Sequence, residues 1–275
     1  MLQLPPESSE LDVKKLSKIF VDARKNQSGM DEFPGGLIPA TLELGYEIQA
    51  DAIKQWDDEI IGWKVGGVPP TLQEKYKQTR LAGPIFKSSL MNCEDKGHVK
   101  APMFSDGYAA VEAEFIFKLG DISHLPNTGV TLDQAESVIE QVFLGYENAS
   151  SPLKVVNDIG PIGPISDFGC NNGIVIGPEL KDWKENDILS IPVTVNINGK
   201  HINTTPAKPG LDGPFGAVKF LIEFLKKYDY NTEAGLLVSS GAITGVHQAF
   251  PGDKAEVIFG DFATLNIELA CSKSC

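Results

Sequence analysis

Two glutamates spaced two residues apart are the residues of this sequence best suited to chemistry. Glu112 and Glu114 lie in the segment 111–119, where apolar residues alternate with them as in a β-strand. Side chains two apart on a strand share one face, so the two carboxylates would lie side by side. That is costly unless a cation lies between them, and a divalent ion with oxygen ligands is the natural candidate. The alternative is a solvated strand face, on which Glu-x-Glu is common.

A third oxygen ligand is expected from another element, because two carboxylates from one strand rarely complete a metal site. Glu147 is the best candidate, since it follows the mainly apolar run 142–146, which predicts a short strand. Asp106, Asp158 and Asp167 are competitors. A carboxylate at the edge of a loop is the alternative interpretation of Glu147.

Composition restricts the class of protein. The chain has 275 residues, of which 42% are hydrophobic and 22% charged, as in ordinary soluble proteins. Its net charge of −13 argues against nucleic acid as a partner, because phosphate binding needs clustered Lys and Arg. We expect no signal peptide and no membrane span, since no basic-then-apolar leader and no long apolar stretch is present. The four cysteines form no metal-type pair, which indicates a reducing compartment, most simply the cytoplasm.

The periodicity predicts helices and strands in an uneven distribution. Helices are expected over 11–27, 41–56, 71–78, 131–141 and 215–228. Strands are expected over 60–66, 111–119, 142–146, 173–176 and 236–239, with hairpins about Asn198-Gly199 and Gly260-Asp261. The fold class is therefore α+β, with a mixed, mostly antiparallel sheet. We divide it into a helical N-terminal region, 1–82, and a β-rich catalytic core, 83–275, which can also form one continuous domain.

An ordered set of motifs resembles the fumarylacetoacetate hydrolase superfamily, closest to its 2-keto-4-pentenoate hydratase / 4-oxalocrotonate decarboxylase branch. The resemblance runs from about residue 44 to 268. The motifs are Gly62-Trp-Lys64-Val-Gly66, Glu112-x-Glu114, Glu147, Gly213-Pro-Phe-Gly-Ala-Val218, Ser239-Ser-Gly-Ala-Ile-Thr244 and Pro251-Gly-Asp253.

This resemblance implies a Mg²⁺- or Mn²⁺-dependent lyase with a β-rich core of the superfamily's C-terminal type. The three glutamates would hold the metal, and a small unsaturated 2-oxo acid would be the substrate. Lys64, a lone lysine between Trp63 and Val65 in an apolar strand, would bind the substrate carboxylate or move a proton. Ser240 and Thr244 would bind a carboxylate, against the alternative of a solvated Gly-rich turn. The resemblance also implies a homo-oligomer built on the β-rich region.

The sequence departs from the branch where acid–base residues are expected. No acid precedes Gly83 in the segment 80–86, and no arginine follows Glu147 in the segment 147–152. Cys170-Asn-Asn-Gly173 replaces a segment that usually begins with Asp. Hydration, decarboxylation, acylpyruvate-type C–C hydrolysis and non-catalytic binding of a 2-oxo acid therefore remain open.

Overall fold

Helices lie mainly in the first third of the chain. The computed structural model describes residues 6–207 and 211–271. Its α-helices are α1 (Val13–Asn26), α2 (Leu42–Lys54), α3 (Pro70–Tyr76), α4 (Leu132–Ser137), α5 (Ile162–Ser166) and α6 (Gly213–Lys227). The predicted start of α2 is confirmed, because the Thr41 hydroxyl accepts a hydrogen bond from the Leu44 amide. The predicted helix that starts at residue 131 is present as α4, which begins with a capping box at Thr131-Leu-Asp-Gln134.

Strands dominate the remainder. They are β1 (Glu7–Ser8), β2 (Ile38–Pro39), β3 (Ile60–Gly67), β4 (Arg80–Phe86), β5 (Leu90–Asn92), β6 (His98–Met103), β7 (Tyr108–Leu119), β8 (Ile139–Ser151), β9 (Asn171–Glu179), β10 (Pro192–Ile197), β11 (Lys200–Pro206), β12 (Leu237–Ser239), β13 (His247–Gln248), β14 (Lys254–Phe259) and β15 (Ala263–Cys271). Both predicted hairpins are confirmed, as β10–β11 and β14–β15.

Two sheets carry most of these strands. The larger has the order β4-β3-β12-β7-β8-β9-β5, with β13 added beside β7, and the smaller has the order β11-β10-β14-β15-β6. Most pairs are antiparallel, whereas β3–β12, β5–β9, β6–β15 and β1–β2 are parallel. The predicted α+β class with a mixed, mostly antiparallel core is therefore confirmed.

The longest strands, β7 and β8, pair along almost their whole length at the centre of the larger sheet. The prediction of a helix to residue 141 followed by a strand over 142–146 was wrong at its boundaries, because α4 ends at Ser137 and β8 spans Ile139–Ser151. Pairing with β7 supplies backbone hydrogen bonds to the residues of β8 outside 142–146. These tertiary contacts outweigh the local helical pattern. The strands β4 and β6 were not predicted from the sequence.

The first 82 residues contain α1, α2 and α3 but also the strand β3, which pairs with β12 and β4 in the larger sheet. The predicted boundary between residues 82 and 83 lies inside β4. The outer ends of the two predicted regions lie outside the described residues, and the division stays a prediction. Within residues 6–207 and 211–271, none of the helices has both the length and the apolar character that crossing a bilayer requires.

Candidate metal centre

Strand register brings the three predicted glutamates together. Glu112 on β7 lies directly opposite Glu147 on β8, so their side chains leave the same face of the sheet. Glu114 is two residues further along β7 and shares that face. One carboxylate oxygen from each of the three lies within 4.8 Å of the others. The predicted convergence is thus a property of the structure.

The three carboxylates are buried rather than solvated. Glu114 and Glu147 have no exposed surface, and Glu112 is 6% exposed. The alternative of a solvated strand face is therefore wrong, because β7 is covered on both sides. Of the three competing aspartates, Asp106 and Asp158 are exposed, and the buried Asp167 is bound elsewhere.

Neighbouring polar groups fix the orientation of two of the carboxylates. The Ser239 hydroxyl donates to Glu114 Oε2 at 2.5 Å, and the Gly241 amide donates to the same oxygen at 2.9 Å. Asn171 Nδ2 donates to Glu147 Oε1 at 2.9 Å. Hydrogen bonds of this kind around metal ligands reduce their freedom and hold the remaining oxygens in place.

Lys64 on β3 supplies positive charge to this cluster. Its Nζ lies 3.3 Å from Glu147 Oε2, and the residue is 5% exposed. Burial lowers the pKa of Lys64, but the charges of the three glutamates together raise it more, so the net pKa is above its ordinary value. Lys64 is therefore held in its charged form.

Glu112 and Glu114 hold protons more tightly than an ordinary glutamate does. Burial, and then the charge of Glu147, raise the pKa of Glu112 to about 8, although Lys64 opposes the change. Burial likewise raises the pKa of Glu114 well above its ordinary value, and the charges of Glu147 and Glu112 add to this. The cluster carries more negative charge than one lysine can balance, so it binds either protons or a cation.

The donor set fits a hard divalent cation. Glu114 Oε1 and Glu147 Oε2 are buried and have no hydrogen-bond partner among the described residues, although the latter is close to Lys64 Nζ. Carboxylate oxygens are the ligands that Mg²⁺ and Mn²⁺ prefer. Glu112, Glu114 and Glu147 can therefore hold a divalent ion between them.

The two predicted substrate-binding residues lie in the segment after β12. Ser240 is 4% exposed, and its hydroxyl has no hydrogen-bond partner among the described residues. Thr244 is 5% exposed, and its hydroxyl lies 3.1 Å from His247 Nε2. Ser240 is adjacent to the two groups that bind Glu114, whereas Thr244 is three residues beyond Gly241. The roles of both residues stay predictions.

Several residues near the centre were missed in the sequence. Ser239 and Asn171 bind the glutamates directly, and no local pattern distinguishes them from their neighbours. Tyr108 could have been found, because the alternation of β7 places it on the face of Glu112. Its hydroxyl is hydrogen-bonded to Asn157, and burial raises its pKa. Burial also raises the pKa of the Cys170 thiol, which keeps that thiol neutral.

A buried ion pair fixes the segment that carries Asn171. Arg24 on α1 donates from Nε to Asp167 Oδ1 at 2.5 Å and from Nη2 to Oδ2 at 3.0 Å. Its Nη1 donates to the Asn171 carbonyl at 3.0 Å. Gly83 on β4 packs so closely on this segment that a Cβ there would lie 2.2 Å from the Phe168 carbonyl oxygen. Helix α1 thus helps to orient Glu147 through Asn171.

Solved structures share this architecture. The chain aligns with 4-oxalocrotonate decarboxylase from Pseudomonas putida G7, complexed with magnesium and adipate, at a TM-score of 0.77 and 20% identity, over 94% of this chain and 97% of that chain. Fumarylpyruvate hydrolase from Pseudomonas aeruginosa, in complex with Mn²⁺ and pyruvate, aligns at a TM-score of 0.56 and 13% identity, over 76% and 89% of the two chains. A fumarylacetoacetate hydrolase family protein from Yersinia pestis CO92 aligns at 0.54 and 14%, over 78% and 94%.

This chain has the fumarylacetoacetate hydrolase fold. The resemblance drawn from the ordered motifs, near the 4-oxalocrotonate decarboxylase branch, is confirmed at the level of the fold. No family model matches the sequence, and no curated protein matches it. At sequence identities of 13–20%, the structural similarity shows only that the architecture is shared.

Proposed function

We propose that this chain is a divalent-metal-dependent lyase acting on a small unsaturated 2-oxo acid, as a hydratase or decarboxylase of the 2-keto-4-pentenoate type. The observation that carries the proposal is the buried cluster of Glu112, Glu114 and Glu147, with Lys64 Nζ 3.3 Å from Glu147. Three carboxylates that share one buried face are suited to Mg²⁺ or Mn²⁺, and the charged lysine is suited to an anionic substrate.

Lys64 and the groups that bind the glutamates have separate roles in the proposed reaction. A divalent cation, when bound, polarises a 2-oxo group as a Lewis acid. Lys64 places a fixed positive charge beside the substrate, where it stabilises negative charge that develops during the reaction. Ser239, Gly241 and Asn171 hold the glutamates in one orientation, so little reorganisation is needed on binding.

Decarboxylation fits these residues better than hydration. Hydration needs a base that activates water, and Leu81 and Ala82, which precede Gly83, are apolar and buried. In the metal-free protein the charges of the three glutamates raise the pKa of Lys64, which favours its charged form there. Decarboxylation needs a group that stabilises the charge left behind when carbon dioxide departs, and a charged lysine beside a bound cation supplies this.

The test compares two reactions at one Mg²⁺ concentration. Purified protein is assayed for decarboxylation of a 2-oxo-3-enedioate and for hydration of 2-hydroxypenta-2,4-dienoate, with EDTA-treated protein as the control. We expect faster decarboxylation, and loss of both activities in EDTA. Hydration that is clearly the faster reaction would mean that another residue supplies the base. Turnover that persists without metal would remove the glutamate cluster from the mechanism.

Two alternatives remain for the same fold. The missing acid favours a non-catalytic relative that binds a 2-oxo acid, which calorimetry with Mg²⁺ and oxalate would reveal in the absence of turnover. An acylpyruvate-type C–C hydrolase has less support. The resemblance associates hydrolysis with a His-Glu pair at the active site, whereas His98 lies 3.7 Å from Glu268 on the smaller sheet rather than beside the glutamate cluster.

The partners of the chain follow from the same proposal. We infer that it binds a small 2-oxo acid, assembles as a homo-oligomer through its β-rich region, and works in the cytoplasm, as its use of cysteine indicates. Light scattering should give a mass that is a multiple of 29.7 kDa. A monomer at micromolar concentration would contradict the assembly.

A further inference from the structure

A cavity of about 520 Å³ lies between the start of α2, the end of α3, the second half of α6 and the loop that precedes α4. The described residues that line it include neither Lys64 nor any of the three glutamates, so it is distinct from the metal centre. A cavity of this volume is in the range that holds small-molecule ligands. We call it the aromatic cavity, because five of its lining side chains are Tyr46, Tyr76, Phe220, Phe224 and Tyr228.

Three of these rings contact one another and are fixed by the larger sheet. The Tyr46 ring centroid lies 5.1 Å from that of Phe224 and 5.2 Å from that of Tyr228. The Tyr46 hydroxyl accepts a hydrogen bond from the Ala82 amide on β4, and the Phe224 ring lies 5.4 Å from that of Trp63 on β3. Because β3 and β4 hold these rings in place, a ligand could contact them without the cost of ordering loose side chains.

The aromatic cavity also contains a lysine that lacks a close counter-charge. The Lys226 Nζ donates to the backbone carbonyls of Ser123, at 2.9 Å, and of Leu125. Within the part of the chain that the structure describes, no carboxylate oxygen lies within 4.0 Å of this Nζ. Its charge acts on Asp121, but that carboxylate is exposed and already accepts from Ser123. Backbone carbonyls satisfy the hydrogen bonds of Lys226 without neutralising its charge, and a half-buried charge is costly to leave unpaired.

The rest of the lining leaves Lys226 available for an anion. Each of the other charged side chains has a partner, in the pairs Lys227–Glu43, Lys77–Glu74 and Glu223–Val130 amide. The lining also has one more lysine than it has acidic residues, although the whole chain has a net charge of −13. Aromatic rings and an unpaired ammonium group therefore meet in one cavity.

We propose that the aromatic cavity binds a small aromatic carboxylate, with its ring against Tyr46, Phe224 and Tyr228 and its carboxylate on Lys226. The site stands apart from the proposed function, since no residue of the metal centre takes part in it. The competing explanation is structural, with the three rings only packing on the sheet and Lys226 only holding the loop before α4.

Calorimetry on the Mg²⁺-saturated protein compares three ligands of similar size. Benzamide lacks the charge of benzoate, and cyclohexanecarboxylate lacks its aromatic ring. We expect the wild-type protein to bind benzoate about 10–100-fold more tightly than benzamide, the range for hydrogen bonds to a charged group. Benzoate should also bind about 3–10-fold more tightly than cyclohexanecarboxylate, because aromatic pairs add to the burial of apolar area.

Variants of Lys226 separate an anion site from a structural role. Lys226→Met should bind benzoate and benzamide equally, with the affinity for benzamide unchanged, whereas Lys226→Arg should keep most of the preference for benzoate. Lys219→Met is the matched control, since Lys219 is on the same helix, outside the aromatic cavity and 4.0 Å from Asp212. It should leave all three affinities unchanged.

The position of the ligand is checked by anomalous diffraction from crystals soaked in 4-iodobenzoate, whose iodine should lie in the aromatic cavity. An iodine peak only at the metal centre, or equal affinity of the wild-type protein for benzoate and benzamide, would overturn the site. Benzoate that binds no more tightly than cyclohexanecarboxylate would overturn the contact with the rings. An equal loss of affinity for all three ligands in Lys226→Met would show a structural role for Lys226. If Lys226→Met does not fold, the wild-type ranking and the iodine position still decide the question.

Discussion

Metal binding should depend steeply on pH, because the cluster holds protons that a cation must displace. Burial and neighbouring charge raise the pKa of Glu112 from 4.5 to about 8. Metal ligands bind in their deprotonated form, so below pH 8 each binding event releases the proton of Glu112. A raised carboxyl pKa means that the folded, metal-free protein favours the protonated form. It therefore loses stability as pH rises from about 4.5 to about 8, and metal binding opposes that loss.

The expected change in the Kd for the metal follows from how far the pKa of Glu112 is raised. Each pH unit below the pKa adds about 1.4 kcal/mol to the cost of ionising the carboxyl group. At pH 6 the cost for Glu112 is about 2.7 kcal/mol, so the Kd should be about 100-fold weaker than on the plateau above pH 8. The pKa of Glu114 is also raised, which steepens the dependence beyond tenfold per unit. Glutamates with ordinary pKa values would give a flat profile between pH 6 and 8.

Titration of the metal-free protein with Mn²⁺ by calorimetry measures both the Kd and the number of protons released on binding. Binding is followed at pH 6, 7, 8 and 8.5, in pairs of buffers that differ in ionisation heat, so that the released protons are counted directly. Circular dichroism checks that the protein is folded at each pH. In Glu112→Gln the number of released protons should fall by about one. A Kd that changes less than threefold between pH 6 and 8 in the wild-type protein would refute the reasoning.

Further predictions concern the groups around the cluster. Ser239→Ala should weaken Mn²⁺ binding about 10–100-fold with the fold intact, because the hydrogen bond that orients Glu114 is lost. Ser190→Ala is the control, since it removes a hydroxyl that donates to the exposed carboxylate of Asp187, and it should leave the Kd unchanged. Lys64→Met should lower kcat about 10²–10³-fold while Mn²⁺ still binds, because the charge that stabilises the transition state is lost. Wild-type turnover would remove this lysine from the mechanism. Arg24→Met should lower the free energy of unfolding, measured in urea, by about 3–5 kcal/mol, because the buried carboxylate of Asp167 loses its counter-charge. Lys18→Met, at an exposed ion pair, should cost under about 1 kcal/mol, and equal losses in the two variants would contradict the assignment.

The sequence by itself predicted most of the local structure and the three glutamates that the structure brings together. Alternation along 111–119 predicts a strand and places Glu112 and Glu114 on one face, because the period of two is a property of extended backbone. Turn chemistry gives the hairpin at Asn198-Gly199, where both residues have positive φ. The ordered motifs carry the superfamily resemblance, which implies that Glu147 binds the metal and that Lys64 acts on the substrate. Domain boundaries and residue roles stay predictions.

Only the tertiary structure decided how the predicted site residues are oriented and charged, and which further residues bind them. Glu147 faces Glu112 because of the register of β7 with β8, and the extent of β8 depends on that partner rather than on its own sequence. Asn171 and Ser239 reach the glutamates from separate strands, and no local pattern encodes such contacts. Protonation is likewise a tertiary property. Burial beneath other elements raises the pKa of a glutamate whose sequence neighbours are ordinary, because desolvation depends on what surrounds the side chain in space.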